Sequence, residues 1–437
     1  MLTGIPLAVK DNICHHGCGT SACSNALRDH RPTYDADVVT KLRGRGAILL
    51  GRTNMDEFGM GSTTETSANS PTLNPWNTGH VPGGSSGGSA AAVSAQLCVG
   101  ALGTDTGGSI RQPSAFCGVV GLKPTYGAVS RHGLISYCSS FDTIGPIASS
   151  VEDVACIFES IRCTDEERAS DSTSAPWLKV GSILPSFDDL CSRPLQNKRF
   201  GVIAEALGPG TSSTVKESFV ESVRQIESLG GTVDLISCET FHTGLPAYYV
   251  LALSQASSNL ARYDGIRFGG KENMNSFESE LDGFRGSALG EEVRRRILMG
   301  TYMLSAGYSD EYYARAKFVQ QSVCAEMRNY LSTYDALLTP ATPTTAYNIG
   351  NTLADPLQMY VGDMTTVNVN LAGLPALVVR SLSRPDHSED TYLPTGLQLI
   401  GSHFGEKELL EVGHVIEVCS CRNGREFPDS QFLQHIL

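Results

Sequence analysis

Two glycine- and serine-rich segments constrain the folding of this chain more than any other feature. They are PGGSSGGSAAAV, which contains Ser85, and GTDTGGSIRQP, which contains Ser109. Glycines allow consecutive backbone N–H groups to turn towards one point with no side chain in the way. Attack on a carboxamide needs an activated hydroxyl and N–H donors aimed at the developing oxyanion. The second segment has the composition from which such an oxyanion hole is built.

Lys10 lies in a third segment, GIPLAVKDN, 75 positions before Ser85, and Ser109 follows Ser85 by 24 positions. An ammonium group cannot accept a proton, so a catalytic lysine must be desolvated enough to lose its charge near neutral pH. The apolar residues before Lys10 favour such burial. In this order and at these intervals, the three segments resemble those of the amidase signature family.

The resemblance implies a Ser-cisSer-Lys triad. Ser109 matches the nucleophile, Ser85 matches the serine that follows a cis peptide bond, and Lys10 matches the lysine. Ser85 and Lys10 would relay the proton. The resemblance also implies an oxyanion hole formed by the N–H groups of Thr106, Gly107, Gly108 and Ser109.

The glycine-rich segments have other interpretations. Taken alone, PGGSSGGS is typical of a flexible turn or linker. Residues 83–87 also satisfy the G-x-S-x-G pattern of a hydrolase nucleophile elbow, which must lie directly between a strand and a helix. The preceding stretch, NPWNTGHVPGG, is rich in turn formers and predicts no such strand. A phosphate loop is excluded because neither glycine cluster leads into Gly-Lys-Ser/Thr.

Cys14, His15, His16 and Cys18, with Cys23 nearby, have side chains of the types that bind metals. They lack paired C-x-x-C spacing and a second ligand cluster, so we predict no metal site there. The segment matches the family's loop after the lysine, and we expect it to line the site entrance.

The chain has 437 residues, 41% of them hydrophobic, and a formal net charge of −13. Binding to phosphate backbones depends on clustered Lys and Arg, so we expect another subunit to hold any nucleic acid. No apolar run approaches the ~20 residues needed to cross a bilayer, so we expect no membrane insertion.

Strand and helix patterns alternate along the chain. GAILLGR, RFGVIAEAL and GTVDLIS predict strands, and apolar residues at helical spacing between Val215 and Leu229 predict an amphipathic helix. Ser86 is expected to cap the small-residue helix that follows it. This rhythm predicts an α/β fold. The resemblance implies the amidase-signature form, a central mixed β-sheet covered by helices on both faces. We expect one domain over residues 1–437, with a surface excursion at 164–198.

Three longer segments carry a narrower resemblance, to the A subunits of glutamyl-tRNA(Gln) amidotransferases: YYVLALSQASSNLARYDGIRFG, EEVRRRILMGTYMLSAGY and DPLQMYVGDMTTVNVNLAGLPAL. Free glutamine is a zwitterion, so its pocket should offer a cation to the carboxylate and an anion to the ammonium. The resemblance implies Arg296 and Asp363 for these contacts. It also implies a pocket tyrosine at Tyr248, with Tyr249 as the alternative. Because Arg296 ends a run of three arginines, a solvated helix face is the other interpretation.

The resemblance further implies that this chain hydrolyses glutamine and supplies ammonia without binding a cofactor. A partner B subunit would use ATP and Mg, bind most of the Glu-tRNA(Gln), and amidate it to Gln-tRNA(Gln). A small third subunit would complete a heterotrimer.

Two alternatives to this function stay open. A stand-alone amidase for small carboxamides would share the triad, but it would leave Arg296 and Asp363 buried and unpaired. A catalytically dead scaffold subunit is disfavoured by the intact triad.

The family normally has several tens of largely helical residues before the lysine segment, whereas nine residues precede Lys10 here. We expect that segment to be largely absent, together with any targeting presequence. The cysteine-rich, divergent sequence resembles that of organelle copies. It predicts the mitochondrial matrix, with the bacterial cytoplasm as the alternative.

Overall fold

The structure is a computed structural model that describes residues 2–163, 170–175, 194–269, 277–351, 356–381 and 393–421. Its strands are β1 Pro6–Lys10, β2 Ile48–Thr53, β3 Gly100–Asp105, β4 Val120–Lys123, β5 Thr143–Ala148, β6 Arg199–Ile203, β7 Thr232–Ile236, β8 Ala336–Pro340, β9 Ala376–Arg380 and β10 Gly396–Ile400. Most of the predicted surface excursion at 164–198 lies outside the described residues.

The described residues also form helices of six or more residues. They are α1 Asp37–Gly44, α2 Gly87–Ser94, α3 Arg111–Phe116, α4 Val151–Ile161, α5 Ser213–Ser228, α6 Phe241–Leu260, α7 Phe277–Ala288, α8 Glu291–Leu304, α9 Arg315–Leu331, α10 Pro356–Val361, α11 Val367–Ala372 and α12 Glu406–Cys421. A π turn at Asp310–Ala314 precedes α9.

The ten strands form one sheet in the order β2-β1-β3-β5-β4-β9-β10-β8-β6-β7. β1 runs parallel to β2 and β3, and β6 runs parallel to β7 and β8. Antiparallel pairs join the strands between these two parallel groups. The prediction of an α/β fold around a mixed sheet is therefore confirmed.

Both faces of the sheet are covered by helices. Successive strand residues point to opposite faces, so neighbouring residues of one strand pack against different helices. In β1, Leu7 and Val9 pack in a core with residues of α1, α4, α5 and α12. Between them, Ala8 packs against α2 on the other face. The prediction of helices on both faces is confirmed as well.

The helix predicted from the spacing of apolar residues is α5, which buries Val215, Phe219 and Ile226. The hydroxyl of Ser212 caps it by accepting from the N–H of Val215 at 3.4 Å. The three predicted strands correspond to β2, β6 and β7. Local patterns were sufficient for these elements, since α5 buries apolar residues at helical spacing and β6 is a continuously buried apolar run.

Ser86 precedes α2 as predicted, but the expectation that its side chain caps the helix was wrong. Its Oγ accepts from Lys10 Nζ at 2.8 Å and from the N–H of Thr104 at 3.1 Å, and it donates to the carbonyl of Thr104 at 3.1 Å. The hydroxyl of Ser86 therefore hydrogen-bonds to the buried Lys10 of β1 and to Thr104 instead of capping the helix.

Candidate active site

The parallel neighbours β1 and β3 end at the same edge of the sheet. Lys10 is the last residue of β1 and Asp105 is the last residue of β3, and their pairing sets Val9 beside Leu102. Ligands commonly bind beyond the carboxyl ends of parallel strands. Strand register therefore brings Lys10 next to the loop at 106–109.

The side chain of Lys10 is fully buried among hydroxyl groups. Its Nζ lies 2.7 Å from Ser85 Oγ, 2.8 Å from Ser86 Oγ and 2.8 Å from Thr104 Oγ1. Within the described part of the chain it forms no ion pair. These hydroxyl partners are uncharged, so no counter-ion in direct contact balances the charge of the ammonium form.

Burial lowers the pKa of Lys10 from 10.5 to about 7, although the carboxylates of Asp56 and Asp105 oppose the change. Near neutral pH a large fraction of the side chain is therefore the free amine. A free amine 2.7 Å from Ser85 Oγ can accept the proton of that hydroxyl. This geometry suits a proton relay that starts at Ser85.

Ser85 and Ser109 belong to segments that are joined by the main chain. The N–H of Ser86 donates to the carbonyl of Ser109 at 3.1 Å. The peptide bond between Gly84 and Ser85 is cis. Ser85 is buried, whereas Ser109 is partly exposed, as a nucleophile that meets substrate must be. The structure brings the three predicted triad residues into one region; their catalytic roles stay predictions.

Asp105 organises the loop that carries Ser109. Its Oδ1 accepts from the N–H of Gly108 at 3.0 Å and its Oδ2 accepts from the N–H of Ile110 at 3.1 Å. Arg111 donates to both oxygens, at 2.9 and 3.0 Å. Burial opposes ionisation, but the guanidinium of Arg111 holds the pKa of Asp105 below its usual range.

This arrangement reduces the set of candidate donors in the predicted oxyanion hole. The N–H of Gly108 donates to Asp105, so it points into the loop. Among the described residues, no group accepts from the N–H groups of Thr106, Gly107 or Ser109. These three amides are the candidate donors to an oxyanion.

Tyr248 packs against the same loop. A Cβ atom added at Gly107 would lie 2.3 Å from the Tyr248 hydroxyl oxygen, so this close approach requires glycine. Tyr248 is buried on α6, as is its neighbour Tyr249. The predicted pocket tyrosine therefore lies against the predicted oxyanion loop.

Tyr249 has a different contact, with Asp363. Its hydroxyl donates to Asp363 Oδ2 at 2.6 Å. Burial raises the pKa of Asp363 to about 7, although the Tyr249 hydrogen bond and the Arg296 charge both lower it. Both Tyr248 and Tyr249 therefore contact the candidate site. Tyr248 packs against the loop at Gly107, and Tyr249 donates to the carboxylate of Asp363.

Arg296 does not lie on a solvated helix face. Its side chain is buried, with Nε 2.7 Å from Glu292 Oε1 and Nη1 3.1 Å from the hydroxyl of Tyr137. Its neighbour Arg295 is partly exposed and pairs with Glu291. The run of arginines therefore divides between the two interpretations.

Three tyrosine rings surround the Arg296 guanidinium, whose Cζ lies 5.9 Å from the ring centroid of Tyr137, 5.8 Å from that of Tyr249 and 5.4 Å from that of Tyr360. Cation–π contacts of this kind favour the charged form. Tyr360 also donates to Glu292 Oε1 at 2.9 Å.

Sequence reasoning missed Glu292, Tyr137 and Tyr360. The i,i+4 spacing of Glu292 and Arg296 on a helix was a usable signal. No local signal distinguished Tyr137, whereas Tyr360 lies three residues before Asp363 in a segment that already carries the resemblance.

One of the two buried charges is already paired, which corrects part of an expectation. A substrate without charges would not leave Arg296 unpaired, because Glu292 pairs with it. Asp363 accepts a hydrogen bond from the neutral hydroxyl of Tyr249 and has no cationic partner among the described residues. The argument against a stand-alone amidase was therefore wrong for Arg296 and stays a prediction for Asp363.

The described residues include no group of three or more His, Cys, Asp or Glu side chains able to hold a metal ion. Nor does this part of the chain contain a helix of the length and apolarity that crossing a membrane requires.

A family model described as Amidase matches residues 1–410 of the chain. A Zea mays protein, named as the chloroplastic/mitochondrial A subunit of glutamyl-tRNA(Gln) amidotransferase, is 52% identical over 416 residues, which are 95% of this chain and 76% of that protein.

Two solved structures share the fold. The crystal structure of the A subunit of glutamyl-tRNA(Gln) amidotransferase from Thermotoga maritima has a TM-score of 0.79 and 40% identity, covering 95% of this chain and 84% of that one. The native peptide amidase from Stenotrophomonas maltophilia has a TM-score of 0.78 and 30% identity, covering 98% and 85%. The fold alone therefore does not separate one of these functions from the other.

Proposed function

The chain belongs to the amidase family, and on this premise we propose that it is the glutamine-hydrolysing subunit of a tRNA-dependent amidotransferase. One observation carries the amidase chemistry: fully buried Lys10, without an ion-pair partner among the described residues, lies 2.7 Å from Ser85 Oγ beside the Ser109 loop. A lysine held this way acts as a proton acceptor near neutral pH.

In the proposed reaction, Ser109 Oγ attacks the side-chain amide carbon of glutamine, and its proton passes through Ser85 to the free amine of Lys10. The N–H groups of Thr106, Gly107 and Ser109 stabilise the oxyanion, each typically by about 3 kcal/mol. The C–N bond then breaks, the proton returns through Ser85 to the nitrogen, and ammonia leaves. Water attacks the glutamyl ester next and releases glutamate, which restores the Ser109 hydroxyl.

Substrate recognition is assigned to Arg296 and Asp363. The α-carboxylate of glutamine would bind the guanidinium of Arg296. Among the described residues, its Nη1 and Nη2 donate to neutral oxygens, at Tyr137 and Gly61. The α-ammonium would bind Asp363, beside the hydroxyl of Tyr249. Opposite charges at two fixed points match a zwitterion better than a neutral amide.

The relatives are named as A subunits, which supports a complex of several subunits. The remaining parts of the proposal rest on the family resemblance. The ammonia passes to a B subunit, which uses ATP and Mg to activate Glu-tRNA(Gln) and carries most of the tRNA contact. A small third subunit completes the complex, and this chain itself binds no cofactor. We propose the mitochondrial matrix as its compartment, because the maize relative is named chloroplastic/mitochondrial. The bacterial cytoplasm is the alternative, since the Thermotoga maritima protein also shares the fold.

A stand-alone amidase is the second candidate. It is favoured by the likeness to a peptide amidase and by the internal pairing of Arg296 with Glu292. Such an enzyme would hydrolyse neutral carboxamides without any partner.

Ammonia release separates the two functions. The purified chain is assayed with glutamine, alone and with a B subunit, Glu-tRNA(Gln) and ATP, and Ser109→Ala is the blank. Stimulation by the full mixture and formation of Gln-tRNA(Gln) support the amidotransferase function. Equal turnover of simple amides by the chain alone supports the free amidase instead. Activity that persists in Ser109→Ala rejects the nucleophile.

A further inference from the structure

Thr366 connects the oxyanion loop to the turn that carries Asp363. Its hydroxyl donates to the carbonyl of Gly107 at 2.5 Å and also lies 3.0 Å from the carbonyl of Asp363. The N–H of Thr366 donates to that same Asp363 carbonyl at 3.1 Å. The loop that would hold the oxyanion is therefore attached to the turn that would bind the substrate's ammonium.

The hydroxyl controls one peptide unit from one end. The carbonyl of Gly107 and the N–H of Gly108 belong to the same planar trans peptide, so they point in opposite directions. Thr366 holds the carbonyl, and Asp105 Oδ1 holds the N–H at 3.0 Å. With both ends held, rotation of this peptide is restrained, which limits ψ of Gly107 and φ of Gly108 and so helps to orient the adjacent Gly107 and Ser109 amides.

The packing around this contact leaves no room for a side chain at position 108. Thr366 is fully buried. Gly108 has φ +142°, and a Cβ atom there would lie 2.6 Å from Thr366 Oγ1. Arg111 Nη1 donates to the carbonyl of Thr366 at 2.9 Å, while the same guanidinium pairs with Asp105. Asp105, Arg111, Thr366 and the Gly107–Gly108 peptide thus form a closed ring of contacts.

We propose that Thr366 is a positioning residue that sets the geometry of the oxyanion loop from the substrate-binding turn. The inference deepens the proposed function and rests on it for the choice of glutamine as substrate. Thr366 acts through the Gly107–Gly108 peptide on charge that develops only in the transition state. Its loss should therefore lower kcat and leave KM nearly unchanged.

Thr366→Val removes the hydroxyl and keeps the shape of the side chain. We expect kcat for glutamine to fall by between about tenfold and 100-fold, with KM within about twofold of wild type, because small misplacement of a catalytic loop has effects of that order. Thr366→Ser keeps the hydroxyl and should restore kcat to within about threefold of wild type.

The adjacent Thr365 offers a matched control. It is also buried, and its Oγ1 donates to the carbonyl of Ala341 at 3.0 Å, outside the oxyanion loop. Thr365→Val therefore removes an equivalent hydrogen bond, and we expect kcat within about twofold of wild type. Melting temperatures of all variants show whether the two valine variants lose similar stability.

An unchanged kcat in Thr366→Val, an equal loss in Thr365→Val, or a rise in KM alone overturns the inference. If Thr366→Val does not fold, Thr366→Ala is compared with Thr366→Ser in its place. If the wild-type chain releases no ammonia from glutamine even with the B subunit, Glu-tRNA(Gln) and ATP, but hydrolyses a simple carboxamide, the proposed function fails. The same variants are then measured on that carboxamide, so Thr366 is tested separately.

Discussion

Lys10 and Arg296 are both buried basic side chains of one candidate site, yet their surroundings favour different protonation states. Those of Lys10 favour the neutral amine, and those of Arg296 favour the charged guanidinium. The Lys10 ammonium contacts hydroxyls, and burial lowers its pKa to about 7. Arg296 is bonded to the Glu292 carboxylate at 2.7 Å and surrounded by tyrosines. Although burial opposes it, contact with Tyr137 and Glu292 raises the pKa of Arg296 above its usual value.

Burial alone therefore does not set the charge of a side chain in this site; the direct partner does. A base must lose its proton, so hydroxyls that bind either form are suitable neighbours. A group that binds a carboxylate must stay charged, so a counter-ion and aromatic rings are suitable. The proposed catalytic and recognition parts of the pocket differ in this respect.

Exchanging the two kinds of cation should have the largest effect. Lys10→Arg places a permanently charged group beside Ser85, and we expect kcat for glutamine to fall by about 10³-fold or more, as when a triad member is lost. Arg296→Lys is the matched control, with kcat within about threefold and KM raised about tenfold, because lysine cannot bind a carboxylate bidentately.

Steady-state kinetics and far-UV circular dichroism on both variants check this pair. A Lys10→Arg enzyme with nearly normal kcat would assign the base to another group. A kcat loss in Arg296→Lys as large as in Lys10→Arg would remove the distinction between the two regions.

The next largest effect is expected at Asp363. Asp363→Asn removes the anion for the α-ammonium of glutamine, and kcat/KM should fall by between about tenfold and 100-fold, mainly through KM. An amide without the α-amino group, such as glutaric acid monoamide, should lose much less. Equal losses on both substrates would mean that Asp363 does not contact the ammonium.

The pH dependence should show both groups. Below their pKa values of about 7, Lys10 is charged and cannot accept a proton, while Asp363 is neutral and cannot bind an ammonium. Both changes remove activity as the pH falls, so kcat/KM should rise through pH 7 and level off above it, with a limiting slope of up to about 100-fold per pH unit. In Asp363→Asn the slope should fall to about tenfold per unit. A profile that is flat between pH 6 and 8 would contradict both assignments.

The smallest effect is expected from the two adjacent tyrosines. Tyr249→Phe removes the donor to Asp363, so the KM for glutamine should rise by about threefold to tenfold. That hydrogen bond lowers the pKa of Asp363, so its loss should move the acid limb to higher pH. Tyr248→Phe should leave the acid limb in place, since its hydroxyl contacts the loop at Gly107. Identical pH profiles for the two variants would contradict the assignment of different roles to Tyr248 and Tyr249.

Local patterns were sufficient to predict much of this protein. The motifs around Lys10, Ser85 and Ser109 carry the family resemblance that implied the triad, and the spacing of apolar residues predicted α5. These features are encoded by residues close together in the chain. The resemblance to a family then supplied Arg296 and Asp363, which composition alone would leave as ordinary surface charges.

Other features depend on contacts between distant segments, and local sequence contains no signal for them. Tyr249 and Asp363 are 114 positions apart, and Gly107 and Thr366 are 259 apart. Ser86 was expected to cap a helix, but Lys10 of another strand takes its hydroxyl.

The sequence by itself determined which groups can carry the chemistry, because side-chain type sets what can donate, accept or attack. Only the tertiary structure decided the state of each group. Burial without a carboxylate partner lowers the pKa of Lys10 to about 7, and the hydrogen bond of Gly108 to Asp105 leaves three amides of the loop without an acceptor among the described residues. Desolvation and hydrogen-bond partnership arise when the sheet places distant segments side by side, so they are properties of the folded chain.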